Sequence, residues 1–294
     1  MSTLAELHAA ARNRGIEHYR RLSRAELEAA LDDGAPTAPG DHAPVRPERE
    51  APLAPGDRAP VRLERDGPLA LIVLDDPTTR NAIGSAAMDA LEAILTELEG
   101  DTDATLVALT GAGRTFSSGA AIREFDPVDG GGEVLTDRGC AIFDRLAALP
   151  VPTVALVNGH AVGGGAEVAL ACDWRIIAPD AELRFVHASI GLVPGLGGLL
   201  RLRRLVGETT ALRLLATCES VRGSRAVELG LAAEVVAPDA QRSRAWKLAQ
   251  RVADADRGAI AAAKQALAAG TREAERDAFL ACWPNRRIPR NALG

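Results

Sequence analysis

Two glycine-containing segments offer the backbone chemistry most worth following in this chain. One runs Gly111-Ala112-Gly113-Arg114-Thr115-Phe116-Ser117-Ser118-Gly119-Ala120-Ala121-Ile122 after an apolar run; the other, Asn158-Gly159-His160-Ala161-Val162-Gly163-Gly164-Gly165-Ala166-Glu167, joins an apolar run to a helical pattern. Glycines let the chain turn tightly and let a ligand approach the backbone, and a helix N-terminus favours developing negative charge. Two N–H groups aimed at one carbonyl oxygen would hold an oxyanion, where one donor is typically worth about 3 kcal/mol of barrier. Within the apolar run VGGGAEVALAC the one carboxylate is Glu167, which the pattern buries in the first turn of its helix. A favourable helix-start charge and a proton-transfer group are both open readings of it. A phosphate loop is the competing reading of the glycines, but no Lys-Ser/Thr follows the GGG triplet.

The elements that must position these groups alternate. LALIVLDD reads as a buried strand, residues 85–98 as a helix, ATLVALTG and VPTVALVNG as strands, residues 165–171 as a helix and WRIIA as a strand. Strands separated by helices predict an α/β layered core. From Thr209 to Leu280 the pattern is nearly all helical, as expected of a region that packs against a neighbouring subunit.

Upstream the composition changes twice. Residues 1–34 read as a small helix-loop-helix module: Leu4, Leu7 and Ala11 share a face, Gly15 breaks the pattern, and Ser23 with Glu26 forms a capping box. It resembles the small module at the N-terminus of transcription termination factor Rho and SAP-like modules. Arg12, Arg14, Arg20, Arg21 and Arg24 make it locally basic, but Glu17, Glu26 and Glu28 dilute the charge and only Tyr19 is available to stack on a base. Residues 35–66 read as a Pro/Ala-rich spacer with few aliphatic side chains to offset the entropy of ordering. It carries a duplication, APGDHAPVRPER (Ala38 to Arg49) returning as APGDRAPVRLER (Ala54 to Arg65). Residues 67–280 then form the main domain and 281–294 an irregular tail.

Global properties bound the answer without choosing it. In 294 residues, 47% apolar side chains fill a substantial core, and 34 Lys+Arg against 40 Asp+Glu give no reason to expect a nucleic-acid partner. The four cysteines are scattered with no CxxC pair, so neither a zinc site nor a disulfide framework is expected, and a reducing cytoplasm fits. No run approaches the roughly 18 apolar residues of a membrane span.

Together with DDPTTRNAIGSAAMDAL (Asp75 to Leu91), the two glycine loops in this order resemble the enoyl-CoA hydratase/isomerase (crotonase) family over about residues 70–280. The resemblance implies a crotonase-like α/β fold, a spiral core of ββα repeats with a helical C-terminal trimerisation region. It implies an oxyanion hole from the backbone N–H groups of Ala120 and Gly164. Arg80, Asn81, Ala121, Ile122 and Arg123 then belong to the substrate-binding surface. Lys264 is the candidate for CoA phosphates, including those on an adjacent subunit, with a solvated helix face as the alternative. Glu167 falls on the first of the family's two glutamate positions. Counting without gaps from Cys172-Asp173 to Gly191-Leu192-Val193-Pro194-Gly195 puts His187 where the second glutamate stands. A histidine shuttles protons near pH 7, and a polar wall residue is the other reading. Ala121 departs from the family's frequent aspartate, and His160 reads as packing. The expected partners are an acyl-CoA or acyl-carrier-protein thioester and further copies of the chain, as trimers or paired trimers, with no metal and no cofactor beyond the substrate's CoA. Hydration or dehydration is the first expectation, with isomerisation or decarboxylation as alternatives. A non-catalytic scaffold with a nucleic-acid- or protein-binding N-terminal module is the alternative of another class.

Overall fold

The computed structural model describes residues 59–125 and 130–286. The helix-loop-helix expected at 1–34, most of the duplicated spacer and residues 287–294 lie outside the described residues.

A six-stranded sheet forms the first layer. Its strands are β1 (Val61–Asp66), β2 (Leu69–Leu74), β3 (Leu106–Gly111), β5 (Thr153–Val157), β7 (Trp174–Ile177) and β10 (Glu234–Val235), in that spatial order. All neighbours pair in parallel except β1, which turns back antiparallel on β2 with Leu63 opposite Ile72. The run LALIVL is continuously apolar because both of its faces are covered. Ala70, Ile72 and Leu74 pack into the main core, while Leu69, Leu71 and Val73 pack under Ala245, Trp246 and Ala249 of helix α6 (Pro238–Ala253). On the main-core face, α1 (Ser85–Glu99) supplies Met88, Leu91 and Leu95, and α2 (Gly131–Ala148) supplies Ile142, Phe143 and Leu146.

A second, four-stranded sheet is built from β4 (Thr115–Ser117), β6 (His160–Val162), β8 (Glu182–Arg184) and β9 (Ser220–Arg222). Three strands of the first sheet, β3, β5 and β7, are each followed by a short strand of the second. Thus β3 leads through β4 to α2, β5 through β6 to α3 (Gly164–Ala171), and β7 through β8 to α4 (Gly198–Thr217). This is the ββα spiral expected from the sequence. The chain closes with α5 (Gly223–Glu228), α6, α7 (Arg257–Ala269) and α8 (Arg272–Cys282).

Three expectations about elements are corrected. The spacer does not extend to residue 66, because Val61–Asp66 is strand β1, with Val61 buried and Leu63 packed on the core. Its charged residues hid it: Arg62 pairs with Asp75 and Arg65 with Glu97, so a half-polar edge strand reads as spacer. The tail's helical pattern is interrupted by β9 and β10, three and two residues long and too short for periodicity to register. Finally, α8 runs to Cys282 and a 3-10 turn occupies Trp283–Asn285, so the described part of the tail is not irregular. No helix among the described residues is long and apolar enough to cross a membrane.

Candidate active site

The first glycine loop is held in place by the segment that precedes α1. Asn81 is 2% exposed and adopts a left-handed backbone (φ 61°), a conformation asparagine tolerates better than most residues. Its side-chain amide donates to the carbonyl oxygens of Ala112 (3.1 Å), Thr115 (2.8 Å) and Phe116 (3.3 Å) and accepts from the Asp76 N–H (3.0 Å). Ser117 Oγ donates to the Asn81 carbonyl (2.7 Å), and the Ser118 N–H donates to that of Arg80 (3.0 Å). Burial alone would raise the Asp76 carboxyl, but hydrogen bonds from Thr78 and Thr79 outweigh it and hold it below the usual range. The Ile83 N–H then donates to the Gly119 carbonyl and the Ala121 N–H to the Ile83 carbonyl, which fixes Ala120 between them with its own N–H turned away.

The second loop ends in α3, whose eight residues are all buried. Gly163, in a positive-φ conformation (54°) that needs glycine, donates to the Arg184 carbonyl and sends the chain into the helix. The Gly164 N–H is the first of the helix and has no acceptor within it. A Cβ on Gly164 would come within 2.9 Å of the Ala120 nitrogen, and one on Gly119 within 3.1 Å of the Gly164 nitrogen. The two loops therefore meet backbone to backbone. Among the described residues, neither the Ala120 nor the Gly164 N–H donates to a protein acceptor. Two free amides beside a helix N-terminus can hold an oxygen that gains negative charge.

One turn further along α3 is Glu167, 1% exposed. Its Oε1 lies 2.9 Å from His187 Nε2 and accepts from the Gly195 N–H (3.2 Å). Its Oε2 accepts from the N–H groups of Leu196 (2.8 Å) and Gly198 (2.9 Å). His187 opens the 3-10 turn His187–Ile190 and is 7% exposed; its Nε2 would lie 3.9 Å from a Cβ on Gly163, beside the donor Gly164. The turn that grips Glu167 is braced from behind. Arg201 donates to the Leu196 carbonyl (2.9 Å) and the Cys140 thiol to that of Gly195 (3.3 Å); burial and the nearby Asp144 carboxylate push that thiol up.

The structure thus brings Ala120, Gly164, Glu167 and His187 together. It gives Asn81 a different place from the one expected, buried behind the first loop as its tether. Arg80, Ile122 and Arg123 are exposed beside that loop, and Ala121 is half-buried. His160 is half-exposed, with Nδ1 2.8 Å from Glu182, whose carboxylate also takes Arg222. Lys264 points its ammonium at the Asp173 carboxylate (2.7 Å) and the Val151 carbonyl (2.8 Å), tying α7 to the starts of β5 and β7. Replacing Lys264 by methionine is expected to lower Tm by about 3–8 °C, the loss of one partly buried charged hydrogen-bond set. The KM for an acyl-CoA should stay within about threefold; a tenfold rise in KM with an unchanged Tm would restore Lys264 to phosphate binding. Sequence reasoning missed the amides of Gly195, Leu196 and Gly198. The signal was present in Gly195-Leu196-Gly197-Gly198, where a Cβ on Gly198 would overlap the Glu167 side chain. Among the described residues, no group of three His, Cys, Asp or Glu side chains is arranged to hold a metal ion.

Comparison with known proteins agrees with this geometry. The family model described as enoyl-CoA hydratase/isomerase matches residues 64–281. The chain is 34% identical over 203 residues to the short-chain-enoyl-CoA hydratase of Clostridium acetobutylicum, covering 68% of this chain and 78% of that protein. It is 32% identical over 229 residues to the ethylmalonyl-CoA decarboxylase of Gallus gallus, covering 72% and 76%. Among solved structures, a putative enoyl-CoA hydratase from Thermobifida fusca YX in complex with acetoacetyl-CoA superposes with a TM-score of 0.68 at 31% identity, covering 78% of this chain and 96% of that one. With three-quarters of the chain matched, this protein belongs to the enoyl-CoA hydratase/isomerase family of enzymes.

Proposed function

We propose that the protein adds water to, or removes it from, a 2,3-unsaturated acyl thioester of coenzyme A. One observation carries the reading: the Ala120 and Gly164 amides, without a protein acceptor among the described residues, lie close together with the buried Glu167–His187 pair beside them, an arrangement suited to a thioester oxygen. As water adds at C3, negative charge moves to the thioester oxygen, where the amides and the N-terminal end of α3 favour it. Proton exchange at C2 falls to the Glu167–His187 pair. These steps call on no redox cofactor or metal. The Clostridium relative supports a short acyl chain, and a carrier-protein thioester presents the same reacting atoms. Apolar side chains left exposed on the α7–α8 hairpin, Leu267, Phe279 and Leu280, support assembly into trimers or paired trimers.

The test is hydration of crotonyl-CoA by the purified full chain, followed as loss of the conjugated thioester absorbance. Turnover is expected. A second reading, decarboxylation of a 2-carboxyacyl thioester, draws on the imidazole at position 187: carbon dioxide loss generates the same enolate and needs one proton donor, with no activated water. Turnover of a malonyl-type thioester with none of crotonyl-CoA would replace the first reading by the second.

A further inference from the structure

Hydration needs an atom that takes a proton from water and one that returns a proton to C2. Glu167 is poorly placed to be either. Its two oxygens already face four neighbours, the amides of Gly195, Leu196 and Gly198 and the His187 ring, which occupy about the four lone-pair sites a carboxylate offers. Three of these neighbours are N–H groups with no other role than to donate. To take a proton from water, Glu167 would have to give up one of these hydrogen bonds and leave a buried amide unpaired.

His187 is in the opposite condition. Its Nε2 is engaged by Glu167, while its Nδ1 is buried and, among the described residues, has no hydrogen-bond partner. A carboxylate at Nε2 selects the tautomer that carries its proton there, which leaves the Nδ1 lone pair free. The ring lies beside Gly163, the residue before the donor Gly164. From α2 and α4, Cys140 and Arg201 reach the carbonyls of the gripping turn rather than the ring.

We propose that His187 Nδ1 is the single proton-transfer atom of the site and that Glu167 is a positioning residue that sets its tautomer; this rests on the enoyl-thioester reading. The Nδ1 lone pair takes a proton from water as the water oxygen bonds to C3. The C2–C3 π electrons move into the thioester to form the enolate, whose oxygen is held by the Ala120 and Gly164 amides. The imidazolium then returns its proton to C2 as the thioester carbonyl re-forms. One H and one OH have been added across the double bond, and the imidazole ends neutral. Dehydration is the reverse.

The experiment has two arms on the full chain. In the first, ¹⁵N NMR of histidine-labelled protein, assigned by difference against His187→Gln, reports the tautomer without any turnover. Protonated Nε2 with bare Nδ1 is expected at neutral pH, switching to protonated Nδ1 in Glu167→Gln, whose amide would donate to Nε2. Wild-type protein with the proton on Nδ1 would overturn the proposal. In the second arm, crotonyl-CoA hydration is measured across pH. His187→Gln is expected to lose roughly 10²–10⁴-fold in kcat, with little change in KM, and to lose the acidic limb of the profile. Glu167→Gln is expected to lose about 10²-fold, and Glu167→Asp, which keeps an acceptor for Nε2, to recover part of it. Full activity in His187→Gln with an unchanged acidic limb would assign the proton transfer to Glu167 instead. Absence of crotonyl-CoA turnover by wild-type protein alongside the expected tautomer would fault the substrate reading and leave the assignment of roles intact.

Discussion

Replacing Gly165 by alanine is expected to lower kcat by about 10²- to 10³-fold while the protein still folds. Gly165 is the second residue of α3, and a Cβ there would overlap the carbonyl of Ser117 in β4. Neither side of this contact can yield easily. Ser117 is fully buried and donates its hydroxyl to the Asn81 carbonyl, while α3 is buried along its whole length. The added methyl therefore wedges the first loop from the second and moves the Ala120 amide away from the Gly164 amide. Losing one donor of an oxyanion pair costs about 10²–10³ in rate, and an overpacked methyl costs about 1–3 kcal/mol of stability. Thermal unfolding and steady-state kinetics on crotonyl-CoA read the two effects separately. A variant with kcat within threefold of wild type would mean that the distance between the loops does not set catalysis.

Asn81→Ala should show the largest stability effect of any single polar substitution in the site. It strands the carbonyl oxygens of Ala112, Thr115 and Phe116 and the Asp76 N–H, and it places alanine in a left-handed conformation. Buried groups left unpaired cost about 1–3 kcal/mol each when no water replaces the lost partner. Partial relaxation brings the expected total to about 2–4 kcal/mol, or a fall in Tm of roughly 5–12 °C. Because Ile83, two residues on, pins Ala120, kcat should drop by at least tenfold. Asn81→Asp separates the contributions. It keeps an acceptor for the Asp76 N–H but turns a carboxylate toward three carbonyl oxygens, so it should unfold at least as readily as the alanine variant. An aspartate variant as stable as wild type would remove Asn81 from its tethering role.

Strands β2 and β3 of the first sheet were legible because burial on both faces leaves a continuous apolar run, as in LALIVL and in the core of ATLVALTG. The second sheet was not. Strands β4, β6 and β8 hold three residues each, shorter than any periodic signal, and two of them lie within the glycine loops, whose composition reads as turn. Helix α2 escaped notice for a related reason, since GGEVLTDRGCAIFDRLAA opens with glycines and is amphipathic enough to look like surface. Glu167 was legible as the lone charge in an apolar run, and His187 by counting from one motif to the next. Their 2.9 Å contact was not, because it depends on the path from α3 through β7 and β8 back to the 3-10 turn. The amides of Gly195, Leu196 and Gly198 stayed hidden for a more general reason. Backbone donors carry no residue identity, and only the need for space at Gly198 left a mark in the sequence.

Helix α3 carries both the Gly164 donor and the Glu167 carboxylate within a single turn of one buried rod, whereas His187 arrives from a separate 3-10 turn. The spacing from anion donor to carboxylate is thus a constant of helical pitch, protected from local drift by burial on every side. The residue at 187 is a setting on that constant frame. Exchanging it alters which protons move without retuning the hole that receives the charge, so a panel of side chains at this one position would sample different reactions over an unchanged anchor.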